Sequence, residues 1–167
     1  MIDESSNRDE TSSRDSMLTF MMGEFEAEIP TDRQYARNHM WAQVSGENQT
    51  LVRFGFTSYA VRLLQDVYFL DWLIDAPAEL SDSQEIGSIE SKKAESALYA
   101  PSIGQLVQFN DRLMEDPSAI NTDKYGAGWL FEMQIQPSEL LTAQQYVGLL
   151  EDVWAKTQRT IKGQLND

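Results

Sequence analysis

The sequence contains no cysteine, and its single histidine is His39. Without cysteine there is no disulfide, no thiolate metal site and no cysteine nucleophile. One histidine excludes a two-histidine zinc motif and any His-rich metal centre. Sulfur for redox or thiol chemistry would have to arrive with a cofactor. Basic residues are scarce too: 13 Lys and Arg stand against 27 Asp and Glu, a formal net charge of −14. Nucleic-acid binding draws on clustered Lys and Arg that release counterions, so this balance argues against a nucleic-acid partner. An acidic surface meets basic partner surfaces by electrostatic steering instead. No apolar run approaches the ~18 residues of a membrane span; the most apolar stretch, Val67 to Ile74, is interrupted by Asp71. The N-terminus lacks the basic start and apolar run of a secretory signal and is too acidic for a usual transit peptide. The expected location is therefore cytoplasmic, away from the membrane.

What is present suffices for a globular body. The 167 residues are 41% hydrophobic and include four Trp, enough to bury a core in one domain with extensions. Residues 1–16 are almost wholly polar and charged and are expected to be disordered, because they cannot bury enough to offset their ordering entropy. Met17 to Met22 is a short apolar patch that can dock on the body. The division predicted is an acidic, disordered N-terminal extension over 1–23, a β domain over 24–140, and a C-terminal helix with a short tail over 141–167.

Within the β domain, Ile29 to Arg33 is extended, since Pro30 biases its predecessor away from helix. Tyr35 to Val44 and Gln49 to Phe56 flank a turn at Ser45–Asn48 and read as an antiparallel hairpin; Val52, Phe54 and Phe56 alternate onto one face. Thr57 and Ser58 can cap a short helix through Asp66, with Tyr59, Leu63 and Leu64 inward. Val67 to Ile74 returns to strand, Asp75 to Gln84 is a polar loop, Leu106 to Phe109 is β, and Asn110 caps a brief helical turn ending before Pro117. Asp123 to Gly128 is a turn whose two glycines are free to take positive φ. From Trp129 to Ile135, Trp129, Phe131, Met133 and Ile135 share one face, opposite Leu130, Glu132 and Gln134, and Pro137 ends the β region. Thr142 with Gln145 spells a capping box, followed by Tyr146, Leu149, Leu150, Val153, Trp154 and Ile161 at helical spacing up to Gly163. Most of the Trp and Tyr are expected in the core, and His39 is expected to be a satisfied structural histidine, since no nucleophile motif accompanies it.

The chemistry-bearing stretch is Gln84 to Gly104. Lys92 and Lys93 lie between two strand-like runs, Ile86–Ser91 and Ala97–Ala100. Alone, two lysines at a polar hairpin tip read as solvated surface charge. The wording around them adds more. Glu90-Ser91-Lys92-Lys93-Ala94, followed by Tyr99-Ala100-Pro101 and Gly104, resembles the lipoyl-attachment hairpin of glycine cleavage system H proteins, Glu-Ser-Val-Lys-Ala, then Tyr-Ser-Pro, then Gly. The similarity continues from about Arg33 to Leu150. Tyr35, His39 and Trp41 match the family's opening, with Asn38 and Met40 in place of two glutamates. Gly55-Phe56-Thr57-Ser58-Tyr59-Ala60 is similar to Gly-Ile-Thr-Asp-Tyr-Ala. Leu64-Gln65-Asp66-Val67 is similar to Leu-Gly-Asp-Ile, with Gln65 where the family has glycine. Asn110, Pro117, Asn121 and Tyr125-Gly126-Ala127-Gly128-Trp129 match its distal block.

That resemblance implies a mainly β fold: a flattened β-barrel, or barrel-sandwich hybrid, of lipoyl-carrier type with short helices and a C-terminal α-helix. Many short strands, intervening turn signals and one terminal helix agree with it. It implies Lys93 as the attachment point of a covalently bound lipoyl group, with Glu90, Ser91 and Ala94 as its hairpin context, and a non-catalytic carrier subunit without catalytic or metal-binding residues. The implied partners are the pyridoxal-phosphate glycine decarboxylase, the aminomethyltransferase, dihydrolipoyl dehydrogenase and a lipoylating enzyme. The implied role is to shuttle an aminomethyl intermediate among them. Glu90 and Glu95 beside the lysines read as a solvated face rather than an acid/base pair, and their expected use is recognition by the lipoylating enzyme or shaping of the local field. Two alternatives share the fold: a lipoate carrier for another system such as sulfur metabolism, towards which the Ile29-Pro30 and His39, Trp41, Ala42 wording leans, and an interaction module without lipoyl. A biotinyl carrier would carry Met-Lys-Met, and no methionine flanks Lys92 or Lys93.

Overall fold

The computed structural model of the chain describes residues 16–44, 47, 49–136 and 139–166, with side chains as far as 158. Eleven strands and four helices are found among these residues. Strands β1 (Met17–Met22) and β2 (Phe25–Pro30) form an antiparallel pair of their own. Strands β3 (Gln34–Tyr35), β4 (Met40–Val44) and β5 (Leu51–Phe56) lead into helix α1 (Ser58–Leu64). Next come β6 (Val67–Trp72), β7 (Ala78–Leu80), β8 (Glu85–Ser91), β9 (Glu95–Tyr99) and β10 (Gly104–Phe109). Helices α2 (Arg112–Glu115) and α3 (Ala119–Thr122), strand β11 (Phe131–Gln134) and the long α4 (Ala143–Asn166) complete the chain. A six-stranded sheet runs β3-β4-β5-β11-β10-β7 and a three-stranded sheet runs β6-β8-β9. The two share one apolar core, in which Val52, Phe54, Leu106 and Met133 of the first meet Val67, Leu70, Ile86, Ile89 and Leu98 of the second. The sheets are not closed on each other, as in a flattened barrel-sandwich.

A second apolar cluster lies outside the sandwich. Phe20, Met22, Ala27 and Ile29 of the N-terminal strand pair meet Tyr35, Trp41, Tyr59, Tyr146 and Leu150. Tyr35 stacks on Tyr146, with ring centroids 4.7 Å apart and planes 2° apart. The start of α4 is held as its sequence dictates: Gln145 N–H donates to Thr142 Oγ1 and Thr142 N–H donates to Gln145 Oε1, the reciprocal arrangement of a capping box.

Several expectations need correction. Met17–Met22 is a strand, not part of a disordered extension; its inward residues Phe20 and Met22 are buried against partners distant in sequence, and an almost uniformly apolar run carries no alternation to reveal it. The extension over 1–15 lies outside the described residues, as do most of the turn at 45–48 and the Pro137 boundary. Tyr35–Val44 is not one strand: the backbone turns at His39, with φ 70°, and β3 pairs back on β4 through Tyr35↔Trp41. In α1 the buried residues are Ser58, Tyr59 and Val61 and Leu64 packs half-buried on the core as expected, whereas Leu63 is exposed, because that face of the helix borders an open cleft. The polar loop after β6 contains β7, whose three residues are too few to show a period. Gly126 and Gly128 do not adopt positive φ. They are small for space: a Cβ on Gly128 would stand 2.4 Å from the Ala119 carbonyl oxygen. Strand β11 is covered on both faces, and Glu132 is buried against Arg53 and Gln108. Tyr68 and Tyr99 are exposed, apart from the other tyrosines, and α4 continues to Asn166 rather than Gly163.

Candidate functional site

Strands β8 and β9 form the hairpin that carries both lysines. Ile86, Ile89 and Leu98 anchor it in the sandwich core. In β8, Gly87 lies under the Trp72 ring; a Cβ there would stand 2.5 Å from the Asp71 carbonyl oxygen and 2.7 Å from the indole. The last pair of the ladder is Glu90↔Glu95, and beyond it Ser91 N–H donates to the Ala94 carbonyl at 2.8 Å. Lys92 and Lys93 are therefore the two residues at the tip, both exposed.

Ser91 organises that tip. Its hydroxyl donates to the Ala94 carbonyl at 3.1 Å and accepts from the amides of Ala94 at 3.2 Å and Lys93 at 3.4 Å. A short side chain satisfying backbone groups two and three residues ahead is a known local turn device. A tether from outside the hairpin completes it: Lys92 N–H donates to the Asp66 carbonyl at 2.8 Å. The position of that carbonyl is set in turn by Asn121, whose amide donates to the Gln65 carbonyl at 2.6 Å and accepts from Val67 N–H at 2.9 Å. One side chain thus brackets Asp66 on both sides. The motif match included Asn121 without a role for it; a bracket spanning more than fifty residues leaves no local signature.

All the residues expected at the site are brought together. Lys93 stands at the tip, Ser91 ties it, Ala94 closes it, and Glu90 faces Glu95 across the strands. Among the described residues none of Glu90, Lys92, Lys93 or Glu95 has an ion-pair partner.

Beside Ala94 opens a cleft of about 280 Å³. His39, Met40, Leu63, Ile89 and Leu98 are among its lining residues, and no Asp, Glu, Lys or Arg is. His39 Nδ1 lies 2.9 Å from the Tyr146 hydroxyl, which lies 2.9 Å from Thr57 Oγ1. Burial lowers the pKa of the imidazole and favours its neutral form. Burial likewise pushes the Tyr146 phenol well above its ordinary value. His39 is thus the satisfied structural histidine that its isolation in the sequence suggested, and it keeps the cleft wall uncharged.

Comparison with known proteins gives a consistent result. The glycine cleavage H-protein family matches residues 33–153. The glycine cleavage system H protein of Myxococcus xanthus is 41% identical over 130 residues, covering 74% of this chain and 96% of that protein. That of Beutenbergia cavernae is 40% identical over 122 residues, covering 72% and 95%. Among solved structures, a glycine cleavage system H protein from Mycobacterium marinum superposes with a TM-score of 0.62 at 40% identity, covering 72% of this chain and 97% of that one.

Proposed function

The chain belongs to the glycine cleavage H-protein family, and from that premise we propose that it is a lipoyl carrier of glycine cleavage with Lys93 as the attachment residue. The observation that carries the reading is the tip itself: an exposed lysine on a hairpin whose backbone is fixed by Ser91 from within and by Asp66 from outside. A rigid base confines motion to the lysine side chain and whatever extends it. This raises the concentration of the carried group around each enzyme visited. A lipoyl group bound there would supply the disulfide–dithiol pair that the chain lacks, able to accept the aminomethyl group left by glycine decarboxylation. Amide formation at Lys93 Nζ removes its positive charge and leaves Lys92 as the cation of the tip. The neutral cleft beside Ala94 offers apolar surface at the foot of the arm.

On this reading the chain catalyses nothing itself and works in the cytoplasm. It meets a lipoylating enzyme, the pyridoxal-phosphate glycine decarboxylase, the aminomethyltransferase and dihydrolipoyl dehydrogenase. The first experiment is the mass of the protein isolated from its own cells, with the modified peptide mapped. Only five lysines are present and none precedes Lys92, so the assignment is direct. One lipoyl increment on Lys93, retained in Lys92→Ala, is the expected outcome. A chain left unmodified in cells that lipoylate other proteins would refute it. A lipoylated chain that glycine decarboxylase does not load would indicate a carrier for another system.

A further inference from the structure

Strand β6 contains an anomaly of phase. Val67 and Leu70 both point into the core, at 5% and 3% exposure, yet residues three apart on a regular strand face opposite ways. A bulge between Val67 and Phe69 absorbs the extra residue and turns two adjacent aromatics outward, Tyr68 at 62% exposure and Phe69 at 52%. Bulges re-aim side chains in this way and recur beside functional sites. Phe69 pairs with Glu90, and Glu90 pairs with Glu95, so one lateral row across all three strands reads aromatic, acid, acid. The row lies immediately below the lysine tip. Like charges directly opposite one another destabilise a sheet, and among the described residues neither carboxylate is in a direct ion pair.

Resting on the carrier reading above, we propose that Tyr68, Phe69, Glu90 and Glu95 form the surface that seats the chain on the enzyme that loads its arm, at an active-site entrance bearing an apolar recess ringed by Lys and Arg. A lysine delivered into an active site brings its neighbouring row against the rim of that site, so the row and the rim must be complementary. Exposed rings beside unpaired carboxylates complement an apolar recess with a cationic edge. A second copy of this chain is the poorer occupant: a two-fold contact through this face would gather four carboxylates in one interface on a chain of net charge −14.

The test titrates the lipoylated full-length chain onto the pyridoxal-phosphate glycine decarboxylase by calorimetry at two salt concentrations. Intact mass confirms equal lipoylation of every variant, and a thermal melt confirms folding. Tyr68→Ser with Phe69→Ser is expected to weaken Kd about tenfold or more, whereas Phe69→Tyr, which keeps the ring, retains it. Glu95→Gln is expected to weaken binding and flatten its salt dependence. Unchanged Kd in both the serine and the Glu95→Gln variants overturns the proposal, as does a wild-type dimer that the serine variant dissociates. A wild-type chain that is neither lipoylated nor bound overturns the carrier reading together with it, and is recognised because the failure precedes any substitution.

Discussion

The sandwich core and the outer core differ in composition and in their relation to the family. The sandwich core is largely aliphatic, with Phe54, Phe56 and Phe131 as its rings, and the hairpin that presents Lys92 and Lys93 is anchored in it. The outer core is dominated by Phe20, Tyr35, Trp41, Tyr59 and Tyr146, and the polar ring atoms of Tyr35, Trp41 and Tyr125 are tied to backbone carbonyls. Tyr35 donates to the Pro30 carbonyl and Tyr125 to the Glu28 carbonyl, both on β2. Strands β1 and β2 precede the family match at residues 33–153, and Trp154 follows it. Phe20 nevertheless meets Trp154 edge-on, with ring centroids 6.5 Å apart. Two segments at opposite ends of the chain, both outside the family match, are thus packed on each other. The region matched by the family carries the presented lysine, and the outer layer packs β1 and β2 against α1 and α4.

If presentation and clamping are separable, substitutions in each region should move different observables. Lys93→Arg should abolish lipoylation and all carrier turnover while shifting stability by no more than about ±0.5 kcal/mol, as exposed substitutions do; a large loss of melting temperature would show the lysine to be packed. Phe20→Ala should do the reverse, costing about 3 kcal/mol of stability through the lost ring and the cavity left behind. Below its lowered melting temperature it should still be lipoylated fully at Lys93. Loss of modification in that folded variant would mean that the outer layer sets the geometry of the tip after all.

The link between the regions is the Thr57–Tyr146–His39 chain, and pH probes it. Burial lowers the His39 pKa below its ordinary 6.5, so the unfolded chain takes up the proton first on acidification. The stability contributed by neutral His39 is complete above that value and is lost as the pH falls towards and through the folded value, with a slope of up to about 1.4 kcal/mol per pH unit. Denaturant midpoints measured from pH 7.5 down to 5 should lose this component in His39→Asn, whose residue tolerates the same positive φ. Equal slopes in both proteins would mean that the imidazole is not held neutral.

The smallest effect concerns Gln65, which occupies φ 61°, ψ −143°, a conformation that glycine adopts without strain. Gln65→Gly should stabilise the chain by about 0.5–1 kcal/mol, the relieved strain outweighing the added freedom of the unfolded chain. It should leave the Asn121 bracket and lipoylation intact. A destabilised variant would show that the Gln65 side chain makes a compensating contact.

Reading along the chain revealed whatever rests on neighbours. The hairpin at Lys92 and Lys93 follows from two short strand-like runs and a polar tip, and the α4 start follows from Thr142 and Gln145 three residues apart. Thr57 also caps α1 as its position suggested, accepting from Ala60 N–H. In each case the hydrogen bond closes within a few residues, so composition and spacing suffice. The rest depended on distant partners. Met17–Met22 became a strand because β2 and α4 bury its face, and β7 formed because β10 offered it an edge. The bulge at Tyr68 follows from a core that required both Val67 and Leu70, and the tether of Lys92 follows from Asn121 fixing Asp66. The sequence by itself determined which residues form the tip and where α4 begins, because those contacts are local. Only the tertiary structure decided how rigidly the tip is held and what surrounds it, because those contacts join residues that no periodicity relates.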